Sequence, residues 1–210
     1  MLGNEIAEEI ISREPRLSSM KLQKLMYYVD AWHLAVEGER LITDQPFRAY
    51  KDGPVHEDVR HKRMDMATRM HGTSTGKLTP AAESILNLVM AEFGGRTGDE
   101  LSALTHAEVP WKNARGDKAD GETSREPLNE AEIARFYRSS RRLGNRTAAD
   151  LAAGGIYGVF SQADQTELDI DAILGSLPKS IDFENEPAFN GNLVDSGNLG
   201  SASRYAQKSE

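Results

Sequence analysis

Residues 21–32, KLQKLMYYVDAW, constrain the fold of this chain more than any other stretch. Leu22, Leu25, Met26, Val29 and Trp32, with His33 and Val36 beyond, recur at three- and four-residue steps. That spacing sets them on one face of an α-helix. Tyr28 and Lys21 fall at the margin of the face, and Gln23, Lys24 and Tyr27 are expected to point away from it. The segment therefore predicts a core-building helix with a polar and aromatic outer edge. No group in it is arranged for chemistry.

Punctuation along the chain predicts further elements. Asn4 is placed to cap a helix over 5–13, closed by Glu14-Pro15. Ser18 or Ser19 caps the central helix and Gly38 ends it. Leu41-Ile42 and Phe47–Tyr50 read as two short strands around Thr43–Pro46, a small hairpin beside the helices. Gly53-Pro54 reads as a turn into a helix over about 54–70, with Pro54 in its first turn. Thr79-Pro80 starts another helix, which Gly94-Gly95 stops. A short helix over 99–105 is capped by Asp99, and Asn129 and Glu132 have capping-box spacing for a helix over 130–143 before Gly144. Beyond it, Thr147–Ala153 and Leu168–Leu177 read as short amphipathic pieces. Residues 179–210 are rich in Asn, Ser, Gly and acids, with no sustained period, a composition that fits disorder or ordering on a partner.

The fold class expected is mainly α with a small β-hairpin (α+β): a compact domain over 1–143 and an acidic, weakly ordered extension over 144–210. With 210 residues the chain has room for one domain and an extension, and its hydrophobic share of 39% is low for a chain packed throughout. The net charge of −8 is uneven: residues 1–143 hold 23 acidic and 21 basic residues, and residues 144–210 hold 10 and 4. An acidic chain is a poor general binder of nucleic acid. There is no Cys, which excludes disulfides and thiolate-bound zinc. No apolar run is long enough for a membrane span, and MLGNEIAEEI lacks the pattern of a signal peptide. A cytoplasmic location is expected.

Three pieces carry a resemblance when taken in order: KLQKLMYYVDAWHLA at 21–35, FRAYKDGPV at 47–55 and LSALTHAEVPW at 101–111. In that order and at those distances they resemble the Panacea domain of the SocA-like antitoxins, over roughly residues 5–143. The resemblance implies an antitoxin of a bacterial or phage toxin–antitoxin system, of the kind used in phage defence. Such a protein binds its cognate toxin directly, and a SocA-like variant also delivers the toxin to a protease. It implies no enzyme activity and no cofactor. Signature or partner-binding positions would be Gln23, Lys24, Tyr27, Tyr28, Tyr50, Gly53, Pro54, Val55, His56, His106 and Trp111. In the family the Thr-His pair followed by Trp looks structural, a corner locked by an aromatic.

Rival readings rest on other residues. His56-Glu57 with His61 is one residue too long for the zincin motif, and on a helix His56 and His61 diverge, so no metal is expected. His106 as a general base has no marked nucleophile beside it, and the local reading, an imidazole at a helix C-terminus, is preferred. Gly94–Gly98 lacks the ending of a phosphate loop. Arg135, Arg138 and Arg142 share a helical face within the basic run Arg135–Arg146, which makes a nucleic-acid-binding regulator the alternative function. The same face could meet an acidic partner or the chain's own acidic extension.

Overall fold

A computed structural model describes residues 1–64, 72, 76–119 and 121–153. Eight helices and one two-stranded antiparallel hairpin occur among them. The order is α1 (Gly3–Arg13), α2 (Ser19–Glu37), β1 (Arg48–Tyr50), β2 (Gly53–Val55), α3 (Glu57–Met64), α4 (Pro80–Phe93), α5 (Gly98–His106), α6 (Val109–Arg115), α7 (Glu130–Ser139) and α8 (Ala148–Ala153). None of these helices is long and apolar enough to cross a membrane.

Helix α2 is the axis of the fold. Ser18 Oγ accepts from the Lys21 amide at 3.2 Å, and Gly38 closes the other end at φ +83°. Helices α1, α4, α5, α7 and α8 and the hairpin all pack on α2, so every residue from Lys21 to Ala35 is buried. This corrects the one-faced reading of the helix. A helix enclosed on all sides has no outer edge, and Gln23, Lys24 and Tyr27, expected to face outward, are buried with the rest.

The enclosure explains the aromatics of α2. Tyr28 stacks on Phe93 at 4.2 Å between centroids, and Tyr27 meets Phe47 edge-on at 5.5 Å. Trp32 meets Tyr137 edge-on at 5.5 Å. The buried charged residues of α2 find partners, while the Tyr27 hydroxyl and the Trp32 indole N–H have no hydrogen-bond partner among the described residues. Asp30 takes the Arg40 guanidinium at 2.9 Å and the Ile42 amide at 2.8 Å. Lys21 reaches Glu14 and the Gly94 carbonyl, both at 2.5 Å.

Several boundaries differ from expectation for identifiable reasons. At α1 the first amides are served by one acid of the helix itself and one from elsewhere. Leu2 N–H donates to Glu5 and Gly3 N–H to Asp44, so Leu2 rather than Asn4 takes the cap position. Leu41-Ile42 is not a strand, because Asp30 claims the Ile42 amide. The hairpin instead joins β1 to β2 through Lys51-Asp52, with Ala49 opposite Pro54. Gly53-Pro54 is thus strand, not a turn into a helix, and α3 starts at Glu57; residues 65–70 of the expected helix lie outside the described residues. The far side of β1 is covered by the chain at 126–128, through Ala49 N–H to Glu126 O at 2.8 Å and Leu128 N–H to Phe47 O at 2.9 Å.

Thr97, not Asp99, caps α5, in a reciprocal pair with Glu100. Helix α6 was not foreseen, since its seven residues are too few to show a period. Helix α7 is capped by Asn129 as expected but stops at Ser139. Leu143 turns back into the core, and Gly144 and Asn145 follow at positive φ. Thr147 and Asp150 then cap α8 reciprocally, and Ala148 and Leu151 join the core. The expected pieces at 168–177 and 179–210 lie outside the described residues.

Candidate functional site

The three signature segments meet at the hairpin. Its tip, Lys51-Asp52, is exposed, while the strands beneath are clamped from three helices. From α2, Gln23 reads both backbone groups of His56: Oε1 accepts the amide at 2.7 Å and Nε2 donates to the carbonyl at 3.4 Å. Lys24 Nζ donates to the Pro54 carbonyl at 3.1 Å. From α5, Ser102 Oγ donates to the Asp52 carbonyl at 2.8 Å. From α6, Trp111 Nε1 donates to the Tyr50 carbonyl at 3.0 Å. A short hairpin is marginal alone, and here helix side chains supply what its few ladder bonds cannot.

Gly53 is required by this geometry. It sits at φ +100°, and a Cβ there would lie 2.5 Å from Thr105 Oγ1 and 2.7 Å from Lys24 Cε. His106 and Trp111 stack at 4.1 Å and 16°, the aromatic-locked corner the sequence implied. His56 is fully buried, with Nε2 3.2 Å from Asp44 Oδ1. His61, on α3, is exposed. Among the described residues no group of three or more His, Asp or Glu is gathered to hold a metal ion.

Lys24 is 1% exposed, and burial pulls its ammonium down to about 7, with Asp52 opposing the shift. The native chain then sheds this proton near pH 7, while the unfolded chain keeps it to about 10.5. Between those values the unfolded state binds more protons, so this group makes stability rise with pH. Compared with Lys24→Met by urea unfolding, the native chain should gain up to about 1.4 kcal/mol per pH unit above pH 7. A constant difference across pH 7–10 would show that Lys24 stays charged in the fold.

Two clefts flank the tip. One, of about 670 Å³, is lined by Lys51, Asp52, His106, Trp111, Lys112, Arg115 and Lys118. The other, of about 210 Å³, lies between α2, the hairpin and α3, and is lined in part by Gln23, Lys24, Tyr50, Val55 and Arg60. Tyr50 donates its hydroxyl to Glu57 at 2.6 Å, and the Arg60 and Arg125 guanidiniums approach its ring to 5.5 and 6.0 Å.

Tyr27 and Tyr28 are not part of this surface. Tyr28 belongs instead to a buried centre that the sequence reading passed over. Glu108 is 0% exposed and accepts from Tyr28 Oη at 3.2 Å, Tyr137 Oη at 2.7 Å and Arg142 at 2.7 Å. Burial pushes its carboxyl up to about 7 against the pull of Tyr137 and Arg142. The signal available was a lone Glu inside an otherwise apolar EVPW, which no short-range pattern links to Tyr137 or Arg142. This centre also breaks up the expected basic face. Arg135 and Arg138 are exposed on α7, but Arg142 lies beyond the end of the helix and turns inward to Glu108.

The fold and site together define a helical scaffold that presents one clamped hairpin tip between two clefts. Residues 22–112 match the family model described as "Antitoxin SocA-like, Panacea domain". The matched stretch runs from α2 through Trp111 and so contains the whole clamp. Comparison with curated proteins and with solved structures finds no match. Similarity to an antitoxin model points to an antitoxin role, with a toxin as partner in general.

Proposed function

We propose that this protein neutralises a cognate protein toxin, encoded next to it, by direct binding through the hairpin tip and the clefts beside it. The observation that carries the reading is the convergence of the three matched segments on the tip. Of their buried members, Lys24, Ser102 and Trp111 hold hairpin backbone, and Gln23 holds that of His56 directly after it. Their exposed members, Lys51 and Asp52, stand free to meet a partner. A rigid tip keeps the ordering cost of association low. Arg135 and Arg138 offer a second polar face on the same domain. The acidic extension adds a wrapping segment or a handle for delivery to a protease, and its charge suits a basic toxin surface.

Co-expression tests this in living cells. Induction of the neighbouring gene product should arrest growth, and the full-length chain should restore it. Lys51→Glu with Asp52→Lys should lower rescue at unchanged protein level. Replacing the acids of 154–210 by their amides separates the two roles of the extension. Unchanged rescue with a longer-lived toxin would mark delivery, and lost rescue would mark wrapping. Full rescue by the Lys51→Glu/Asp52→Lys variant would remove the tip from the mechanism.

A further inference from the structure

The larger cleft beside the tip has a charge at odds with the chain around it. Lys51, Lys112, Arg115 and Lys118 line it, and Asp52 is the one acid among its described lining residues. The chain as a whole carries −8. At physiological ionic strength charges act over about 8 Å, so a ligand in the cleft meets its local positive field rather than the distant acids.

The cations are of two kinds. Arg115 is buried and committed: it donates to Glu122 O at 2.9 Å and to Ala119 O at 2.6 Å, and its guanidinium lies 5.3 Å from the Trp111 ring centroid. It is a fixed positive wall. Lys51 and Lys112 are exposed and Lys118 is half-buried, and among the described residues none of the three has an ion-pair partner. Converging lysines repel one another until an anion arrives. A lysine ammonium is a compact charge on a flexible stem and adapts to carboxylates at uneven spacing. At about 670 Å³ and open on one side, the cleft has room for several side chains of an extended segment. A long nucleic acid would need many phosphate contacts on a chain whose net charge repels it.

We propose that this cleft docks an acidic segment, a short run of Asp and Glu side chains, presented by a partner protein. The antitoxin reading supplies only the identity of that partner; the charge and geometry stand without it.

The test uses full-length protein and a fluorescein-labelled hexaglutamate peptide followed by polarisation. A hexalysine peptide and a single-stranded oligonucleotide of matched charge serve as comparators. Hexaglutamate should bind the native chain, weaken at least tenfold in Lys112→Glu/Lys118→Glu, and weaken with added salt, while hexalysine stays unbound. Circular dichroism checks the variant's fold, and Lys112→Gln/Lys118→Gln, with a smaller loss in the same direction, replaces it if it fails to fold. Equal peptide binding by native and variant chains would overturn the proposal, as would tighter binding of the oligonucleotide. Toxin neutralisation without peptide discrimination would sink the cleft and leave the antitoxin reading standing. Peptide discrimination without neutralisation would do the reverse.

Discussion

Glu108→Ala should lower the stability of the domain by about 3–5 kcal/mol, the usual result of removing one partner from a buried charged network. The carboxylate stands among Tyr28, Tyr137 and Arg142, which reach it from α2, α7 and the loop after α7. Tyr137 is fully buried, so its hydroxyl would lose its acceptor with no water to replace it. Arg142 would suffer less, because its side chain is 36% exposed and can reach solvent. Urea unfolding of the two chains measures the loss. Glu108→Gln separates charge from hydrogen bonding. The native carboxyl keeps its proton to about 7 and the unfolded one releases it near 4.5, so the native state binds more protons between those values. Stability from this group therefore falls as pH rises from about 4.5 to about 7. The advantage of the native chain over Glu108→Gln should shrink across that window. A pH-independent difference would show that Tyr28, Tyr137 and Arg142 hold the carboxylate ionised throughout.

Gly53→Ala should cost about 2–5 kcal/mol, from backbone strain and forced repacking together. The new methyl would meet Thr105 Oγ1 at 2.5 Å and Lys24 Nζ at 2.8 Å, and both residues are buried beneath the hairpin. Gly38→Ala is the control. Gly38 also has positive φ, +83°, but nothing lies within 4 Å of its Cβ position. It should lose only the left-handed penalty, about 1–2 kcal/mol. Equal melting points for the two variants would mean that the hairpin is not pressed onto Thr105 and Lys24. Because the tip moves with Gly53, that variant should also neutralise toxin poorly at a temperature where it remains folded.

The parts legible in the sequence were those set by local chemistry. Ser18, Thr79 and Asn129 announce their helices because a cap needs only the next three residues. The class of fold, helices with one small hairpin, followed from the same signals. Of its two strands Phe47–Tyr50 was legible, but its partner was not: Asp30 holds the Ile42 amide, and Gly53–Val55 pairs with β1 in place of Leu41-Ile42. The inward turn of Gln23 and Lys24 was hidden for a similar reason. Helical periodicity marks the more apolar face, and only the tertiary neighbours of α2 show that its polar face is covered too. Of the residues the resemblance named, Gln23, Lys24 and Trp111 hold backbone at and beside the hairpin rather than displaying their side chains. Glu108 was invisible because its partners come from three separate segments.

Direct binding tests the central claim most directly. The full-length chain, titrated calorimetrically with the purified product of the adjacent gene, should form a complex of fixed stoichiometry. Lys51→Glu/Asp52→Lys should weaken it at least tenfold while leaving the melting temperature in place. No heat of binding with an adjacent product that is toxic on its own would contradict the account, as would undiminished affinity in the tip variant.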